Sequence, residues 1–393
     1  MNIVGVVFAK EVRDNLRDRR TVLSTLLFGA LLGPLIFAVI FNLMIEQQVS
    51  QAEAQLVLPI AGAEHAPNLI AYLRRAGVEI TEAPAAAEEL VAAREIDFAL
   101  RIGPDYGTNW RAGDPAVVEL IADTTRRQAA TNLQRVRALL ARYSQTVGAQ
   151  RLQLRGIDPL LAQAVATRQV DVSTPQSRGA VLVGTLPFFL LMTVFTGGLY
   201  LAIDATSGEK ERQSLEPLLI NPVPRWQIML GKVLAAALFS STSLAIGLVA
   251  FHFAMQTIPA AAMGFQINLG WAVIAQCFLI AWPLTLIASC GQCILAAFAR
   301  GFREAQAYAS ILTFVPMAPS LWLSLSPVKE QFWMTAVPLL SQVVLLNSTV
   351  RGDSVPLLWL ATSWLGSLTL GLALCWVASG LYNRPGLVVS NPQ

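Results

Sequence analysis

The chain has 393 residues, of which 54% are hydrophobic and only 13% charged, and its formal net charge is +3. A soluble globular domain carries about 25% charged residues, so an ordinary soluble fold is excluded. Several runs of about 20 residues carry no Asp, Glu, Lys or Arg, enough for a helix to cross about 30 Å of hydrocarbon, and the chain reads as a polytopic α-helical membrane protein.

Residues 1–20 read as an amphipathic interfacial helix. Val4, Phe8, Val12 and Leu16 recur on one face, Lys10, Arg13, Arg17 and Arg20 on another, with Glu11, Asp14 and Asp18 between them. An apolar stripe with a basic flank just before a span suits the cytoplasmic interface. The start lacks the charged, apolar and cleavage regions of a signal peptide, so the first apolar run, 21–45, is expected to stay as transmembrane helix 1.

Residues 46–178 are polar and alternate like a small α/β unit. Strands are expected in QLVLPIAGA, VEITEA, DFALRIG and AVVELIADT. Helices are expected in APNLIAYLRRAG and AAAEELVAAREI, and then along 126–154, where Leu133, Val136, Leu140 and Tyr143 share a side. The length suffices for a separate core. Its arginines are accompanied by Asp and Glu, which reads as a solvated surface and not a nucleic-acid footprint.

Residues 179–393 carry the remaining spans: 179–203, 226–253, 269–299 with a bend at Pro283, 305–325 and 356–381. A seventh apolar run, 331–347, is short and interrupted by Pro338. With six spans, Lys10, Arg13, Arg17, Arg19, Arg20, Lys210, Arg212, Arg225, Lys232, Arg300, Arg303 and Arg384 fall inside, and the two short outer loops hold only Lys329 and Arg351. This charge asymmetry follows the positive-inside rule. It makes 331–347 an outer re-entrant or interfacial segment, puts both termini in the cytoplasm and puts 46–178 outside.

The loop 204–226 is then cytoplasmic. Glu209, Lys210, Glu211 and Arg212 continue the preceding helix into water. Ser214 reads as the N-cap of a short helix, 214–220, with Glu216 and Pro217 in its first turn. That helix exposes Leu215, Leu218, Leu219 and Ile220 with nothing in the loop to cover them, the pattern of a docking element.

The stretch GEKERQSLEPLLINPVPRWQIMLGK, 208–232, resembles the signature of ABC type-2 exporter permeases in their sodium-efflux (NatB-like) branch. Gly208, Glu209, Glu211, Leu215, Glu216, Leu218, Leu219, Pro222, Gly231 and Lys232 carry the match. Lys10-Glu11, Arg17-Asp18-Arg19 and Pro34 near the start, and FARGFREAQAY at 298–308, are similar to the same branch. The resemblance spans essentially the whole chain. It implies six spans per subunit, an amino-terminal elbow helix, an outer hairpin between the last two spans, and a dimer with an identical copy or a related paralogue in a bacterial cytoplasmic (inner) membrane. It further implies a separate cytoplasmic ATP-binding subunit that binds ATP and Mg. That subunit would dock on 214–220 through Glu209, Glu211, Ser214, Leu215, Glu216, Leu218, Leu219 and Ile220, with Arg300 and Arg303 as a lesser contact.

No GxxxxGK[ST] loop is present, so ATP hydrolysis is expected in the partner. The two histidines, His65 and His252, form no HExxH or catalytic triad, and no catalytic, cofactor or metal residue is expected in this chain. Cys290-Gly-Gln-Cys293 has redox spacing but lies in an apolar run, where cysteine behaves as a small packing residue. No acid falls in a span core. The mild polar groups Thr193, Thr196, Ser240, Ser241, Ser243 and Gln276 either line a path or hydrogen-bond helices together. The cargo is accordingly a sodium ion or an amphipathic or hydrophobic molecule leaving along the dimer interface, where Gly197, Gly198, Gly366 and Gly371 would allow close approach. The alternative is a membrane-anchored receptor or scaffold whose outer domain binds a ligand.

Overall fold

A computed structural model of the chain describes residues 3–19, 22–23, 29–53, 56–84, 86–93, 95–123, 127–162, 165, 170, 184–214, 222–258, 269–325 and 329–381. The fold divides into two compact units, Met1–Ile45 with Val172–Gln393, and Glu46–Asp171. The chain opens with α1 (Ile3–Arg17) and α2 (Gly29–Glu53).

The smaller unit follows as β1 (Val57–Ala61), α3 (Pro67–Arg75), β2 (Glu79–Glu82), α4 (Ala87–Ala92), β3 (Phe98–Ile102), α5 (Tyr106–Ala112), β4 (Val118–Ala122) and α6 (Arg127–Leu154). The strand order is β2-β1-β3-β4. β1 pairs parallel with β2 and β3, and β3 pairs antiparallel with β4. Parallel neighbours need crossover connections, which α3 and α4 supply; Pro67 starts α3 where its missing N–H costs nothing. Leu58, Ile60, Phe98, Leu100 and Ile102 form the core with Leu69 and Leu73 of α3 and Val136 of α6. The short helix α5 was not among the expected elements, because the Gly- and Asp-rich sequence around it reads as turn.

The larger unit continues as α7 (Leu186–Glu211), α8 (Arg225–Gln256), α9 (Trp271–Ala281), α10 (Leu284–Phe298), α11 (Phe302–Thr313), α12 (Met317–Leu325), a 3-10 turn (Phe332–Ala336), α13 (Leu340–Arg351) and α14 (Leu357–Leu381). Among the described residues, α7, α8 and α14 are long and apolar enough to cross a membrane, and α9 with α10 makes a fourth such segment, bent by 42°. The bend falls at Trp282–Pro283, where proline removes a ladder donor. α8 is the hub, contacted by α1, α7, α10 and α14. Phe37 of α2 stacks on Phe41 at 4.9 Å and meets Phe189 and Phe251 edge-on at 5.9 and 5.7 Å, which locks α2 to α7 and α8.

Two expectations are corrected and two are refined. The segment 305–325 is not one continuous helix: α11 and α12 are separated at 314–316, where Pro316 has no N–H to donate. The most buried residues of α1 are Val7, Glu11 and Asn15, beside the apolar stripe, of which Phe8 and Val12 pack against the α8 core while Leu16 is 54% exposed; Glu11 turns inward to meet Lys232. Gly197, Gly198, Gly366 and Gly371 approach partners within the same chain. A Cβ on Gly198 would lie 2.6 Å from the Ala236 carbonyl, on Gly366 2.6 Å from that of Ala336, on Gly197 2.5 Å from Ser243 and on Gly371 2.9 Å from Leu286. Finally, the segment expected over 331–347 continues as α13 to Arg351.

α13 is buried along Leu340–Leu346. Its fixed point is Gln342, whose amide donates to Ser363 and Ser367 of α14 at 3.1 and 2.8 Å. Its carbonyl accepts from the Leu339 N–H at 2.8 Å and the Ser341 hydroxyl at 3.0 Å. These bonds hold Leu339 at φ 70, a conformation that costs a side-chain-bearing residue about 1–3 kcal/mol.

Candidate functional site

The charged end of the larger unit gathers residues from five helices. α7 reaches it through a wide π turn, Asp204–Gly208, a feature common at functional sites. The turn shifts the ladder so that the Glu209 N–H bonds the Asp204 carbonyl. The Ala205 carbonyl, the partner Glu209 would take in a regular helix, accepts instead from Lys232 Nζ at 2.5 Å.

Lys232 lies on α8 with its side chain wholly removed from solvent. It also reaches Glu209 Oε2 at 2.5 Å and Glu11 Oε1 at 3.3 Å, so all three ammonium donors have acceptors. Lys10 completes a ring, 2.8 Å from Glu209 and 3.1 Å from Glu11. Two lysines and two glutamates thereby join α1, α7 and α8 with no net charge. Lys232, Glu209 and Glu11 are buried while Lys10 is half-exposed, and removal of a buried member leaves an uncompensated charge. Burial alone would lower the Lys10 pKa, but the hydrogen bond and charge of Glu209 outweigh it and hold the ammonium above its ordinary 10.5.

α1 approaches closely enough for this ring because Gly231 precedes Lys232. A Cβ at Gly231 would stand 2.8 Å from Val7 and 3.1 Å from the Val4 carbonyl. Glycine at this crossing sets the separation of the two helices.

The end of α7 also clasps the next helical corner. Lys210 Nζ donates to the Ala299 carbonyl at the end of α10, at 3.3 Å. Glu211 Oε2 accepts the Phe302 N–H at the start of α11, at 2.8 Å. Cation at a carboxyl end and anion at an amino end both follow the helix dipoles. Glu304 bridges the same corner, accepting from the Arg300 N–H at 2.8 Å and the Tyr308 hydroxyl at 2.6 Å. The tyrosine first, then the Arg300 N–H, hold its carboxyl below the usual range.

α7 closes with Gln213 at φ 56. The Gln213 N–H bonds the Lys210 carbonyl and the Ser214 N–H the Glu209 carbonyl, at 3.2 and 3.0 Å, a Schellman closure. Arg212 folds back on the Asp204 carboxylate and the Gly208 carbonyl. The Ser214 hydroxyl donates to the Glu209 carbonyl at 3.2 Å. The hydroxyl thus helps seal the end of α7, while the helix it was expected to cap lies outside the described residues.

Of the anticipated docking residues, Leu215, Glu216, Leu218 and Leu219, with Ile220, lie outside the described residues. Glu209 and Glu211 are brought together with α1, α8 and α11, and Arg300 and Arg303 are exposed at the same corner. From the sequence, Lys10, Glu11 and Lys232 read as interfacial charges and as part of the family match, not as members of a site. One signal was available, since Lys232 stands within the 226–253 span and an ionisable residue there demands a partner.

The mild polar groups divide. The hydroxyls of Thr193, Thr196 and Ser241 donate to the carbonyls of Phe189, Met192 and Ala237 in their own helices. The Ser240 hydroxyl crosses from α8 to the Val194 carbonyl of α7 at 2.6 Å. Ser243 is buried on the same contact, and Gln276 is exposed on α9. His252 Nδ1 faces the Leu269 carbonyl at 2.7 Å, a structural bond. All four cysteines are free and buried, and Cys290 and Cys293 pack in the core around α8.

A family model described as ABC-2 family transporter protein matches residues 24–379. The ABC transporter permease protein NatB of Bacillus subtilis (strain 168) is 26% identical over 374 residues, covering 94% of each chain.

Proposed function

The chain belongs to the ABC-2 family of transporter proteins, membrane permeases of ABC transporters, and from that membership we propose that it is the spanning subunit of an ATP-driven exporter whose motor grips the loop following α7. In this reading the chain has six spans in a bacterial inner membrane, both termini are cytoplasmic, α1 is the elbow helix and the 46–171 unit is outside. It pairs with a second permease copy. A separate subunit binds ATP and Mg and supplies hydrolysis.

The observation that carries the proposal is the double fastening of the α7 end. The ion ring ties it to α1 and α8, and the Lys210–Glu211 clasp ties it to α10 and α11. A push on 214–220 enters α7 through the Schellman closure at Gln213 and reaches four other helices without slack. Leu215, Leu218, Leu219 and Ile220 supply the apolar contact to the motor, and Glu209, Glu211 and Glu216 with Arg300 and Arg303 orient it by charge. The cargo is a sodium ion, as the resemblance to the NatB-like branch suggests, or an amphipathic molecule. The spans lack a core acid, and the hydroxyls of Thr193, Thr196, Ser240, Ser241 and Ser243, with Gln276, are the polar groups available to a path.

The test is co-expression with a candidate ABC ATP-binding subunit. Leu218→Asp and Leu219→Asp should abolish co-purification of that subunit and ATP-driven efflux of sodium or of an amphipathic dye from vesicles, at unchanged membrane yield. Full efflux by either variant would overturn the proposal.

A further inference from the structure

The smaller unit carries a cleft that the transport reading does not use. It lies between α5, α6 and the start of β4, with a volume of about 500 Å³, within the range of small-molecule sites. Its floor is aromatic. Trp110 stacks between Tyr106 and Tyr143, each pair at 5.8 Å and 17°. Leu69, Val118 and Leu140 add aliphatic wall.

One cation is built into this wall. Arg151 of α6 donates to the Gly113 carbonyl at 3.1 Å and the Trp110 carbonyl at 2.9 Å. Its guanidinium carbon sits 4.7 Å from the Trp110 ring centroid. These contacts fix the guanidinium in place and leave further N–H donors, since the group carries five. A second guanidinium, Arg155, lies beside the same loop, with Nη2 3.3 Å from the position of a Cβ on Gly113. Neither arginine makes an ion pair among the described residues, and the acid lining the cleft is Asp114. The Tyr143 hydroxyl is buried close to that of Tyr106. A pre-fixed cation with N–H donors to spare, set on an aromatic floor, is a recognition surface for an anion joined to a flat apolar body.

We propose that the cleft between α5 and α6 binds a small anionic amphiphile of the aromatic carboxylate class, its ring along the partly exposed edges of Trp110 and Tyr143 and its carboxylate on Arg151. The proposal does not depend on the transport reading, because the cleft lies wholly within the 46–171 unit.

The experiment is isothermal titration of 2-naphthoate into the full-length protein in nanodiscs, with empty nanodiscs as blank and neutral 2-naphthylmethanol as comparison ligand. Saturable one-site binding is expected, at least tenfold tighter for the carboxylate. Trp110→Ala and Arg151→Gln should each weaken it at least tenfold, and Asp114→Asn should tighten it. Ala141→Trp places bulk at an exposed position of the cleft rim and should abolish binding at an unchanged melting temperature, so loss of binding is separated from loss of fold. The proposal is overturned by absence of saturable heat above the blank, by equal affinity for the alcohol, or by binding that survives Ala141→Trp.

Discussion

Glu209 Oε2 and Lys232 Nζ meet at 2.5 Å across α7 and α8, and neither side chain is appreciably exposed. Glu11 and Lys10 arrive from α1 and extend the pair into a ring of four alternating charges. Breaking a buried pair from one side costs about 3–5 kcal/mol. Lys232→Met should therefore lower stability by about that amount, leaving Glu209 and Glu11 to share Lys10. The double variant Lys232→Met/Glu209→Gln should recover part of the loss, because the Lys10–Glu11 pair survives. Unfolding in detergent micelles, analysed as a double-mutant cycle, measures the coupling. A coupling energy below about 0.5 kcal/mol, the level of independent sites, would show that the ring is not energetically connected.

Gly231 sets how closely α1 lies on α8. Gly231→Leu drives a branched side chain into Val7 and the Val4 carbonyl. Overpacking of this kind costs about 1–3 kcal/mol, and here its simplest relief is displacement of α1. Limited proteolysis should then cut within α1, and Lys10 and Glu11 should lose their partners. Unchanged protection of α1 would contradict the close crossing.

Glu211 supplies the acceptor at the amino end of α11. Glu211→Ala should cost about 1 kcal/mol, as for other lost caps, and raise hydrogen exchange in the first turn of α11 roughly fivefold. Arg303→Ala, whose side chain is exposed, should leave that exchange unchanged. Exchange read by mass spectrometry distinguishes the two.

Glu304 is held below its ordinary value of 4.5 by the Tyr308 hydroxyl and then by the Arg300 N–H. A lowered folded value means that its contribution is present above 4.5 and is lost as pH falls through that lower value. Tyr308→Phe should move the Glu304 titration back toward 4.5, with the remaining shift due mainly to the Arg300 N–H. A carboxyl-carbon NMR titration of the two proteins reads the difference, and identical titration curves would contradict the assignment.

The membrane character of the chain was legible because hydropathy is a local property: the apolar runs that became α8 and α14 needed no knowledge of their neighbours. The strands β1 to β4 lie within the segments whose β-branched and apolar patterning announced them, for the same reason. The break at 314–316 was less legible, since its signs were two prolines, Pro316 and Pro319, inside an otherwise apolar run.

Pairing across the fold is a different kind of information. Lys10, Glu11, Glu209 and Lys232 stand in three separate parts of the sequence, and composition cannot say which lysine meets which glutamate. That was decided by the π turn that frees the Ala205 carbonyl, by the glycine that lets α1 settle on α8, and by the burial that makes an unpaired charge intolerable. The sequence by itself determined that the chain spans a membrane and ends α7 in charge. Only the tertiary structure decided that those charges form a closed ring, because ion pairing depends on distance in space and the desolvation that enforces it exists only once the helices have packed.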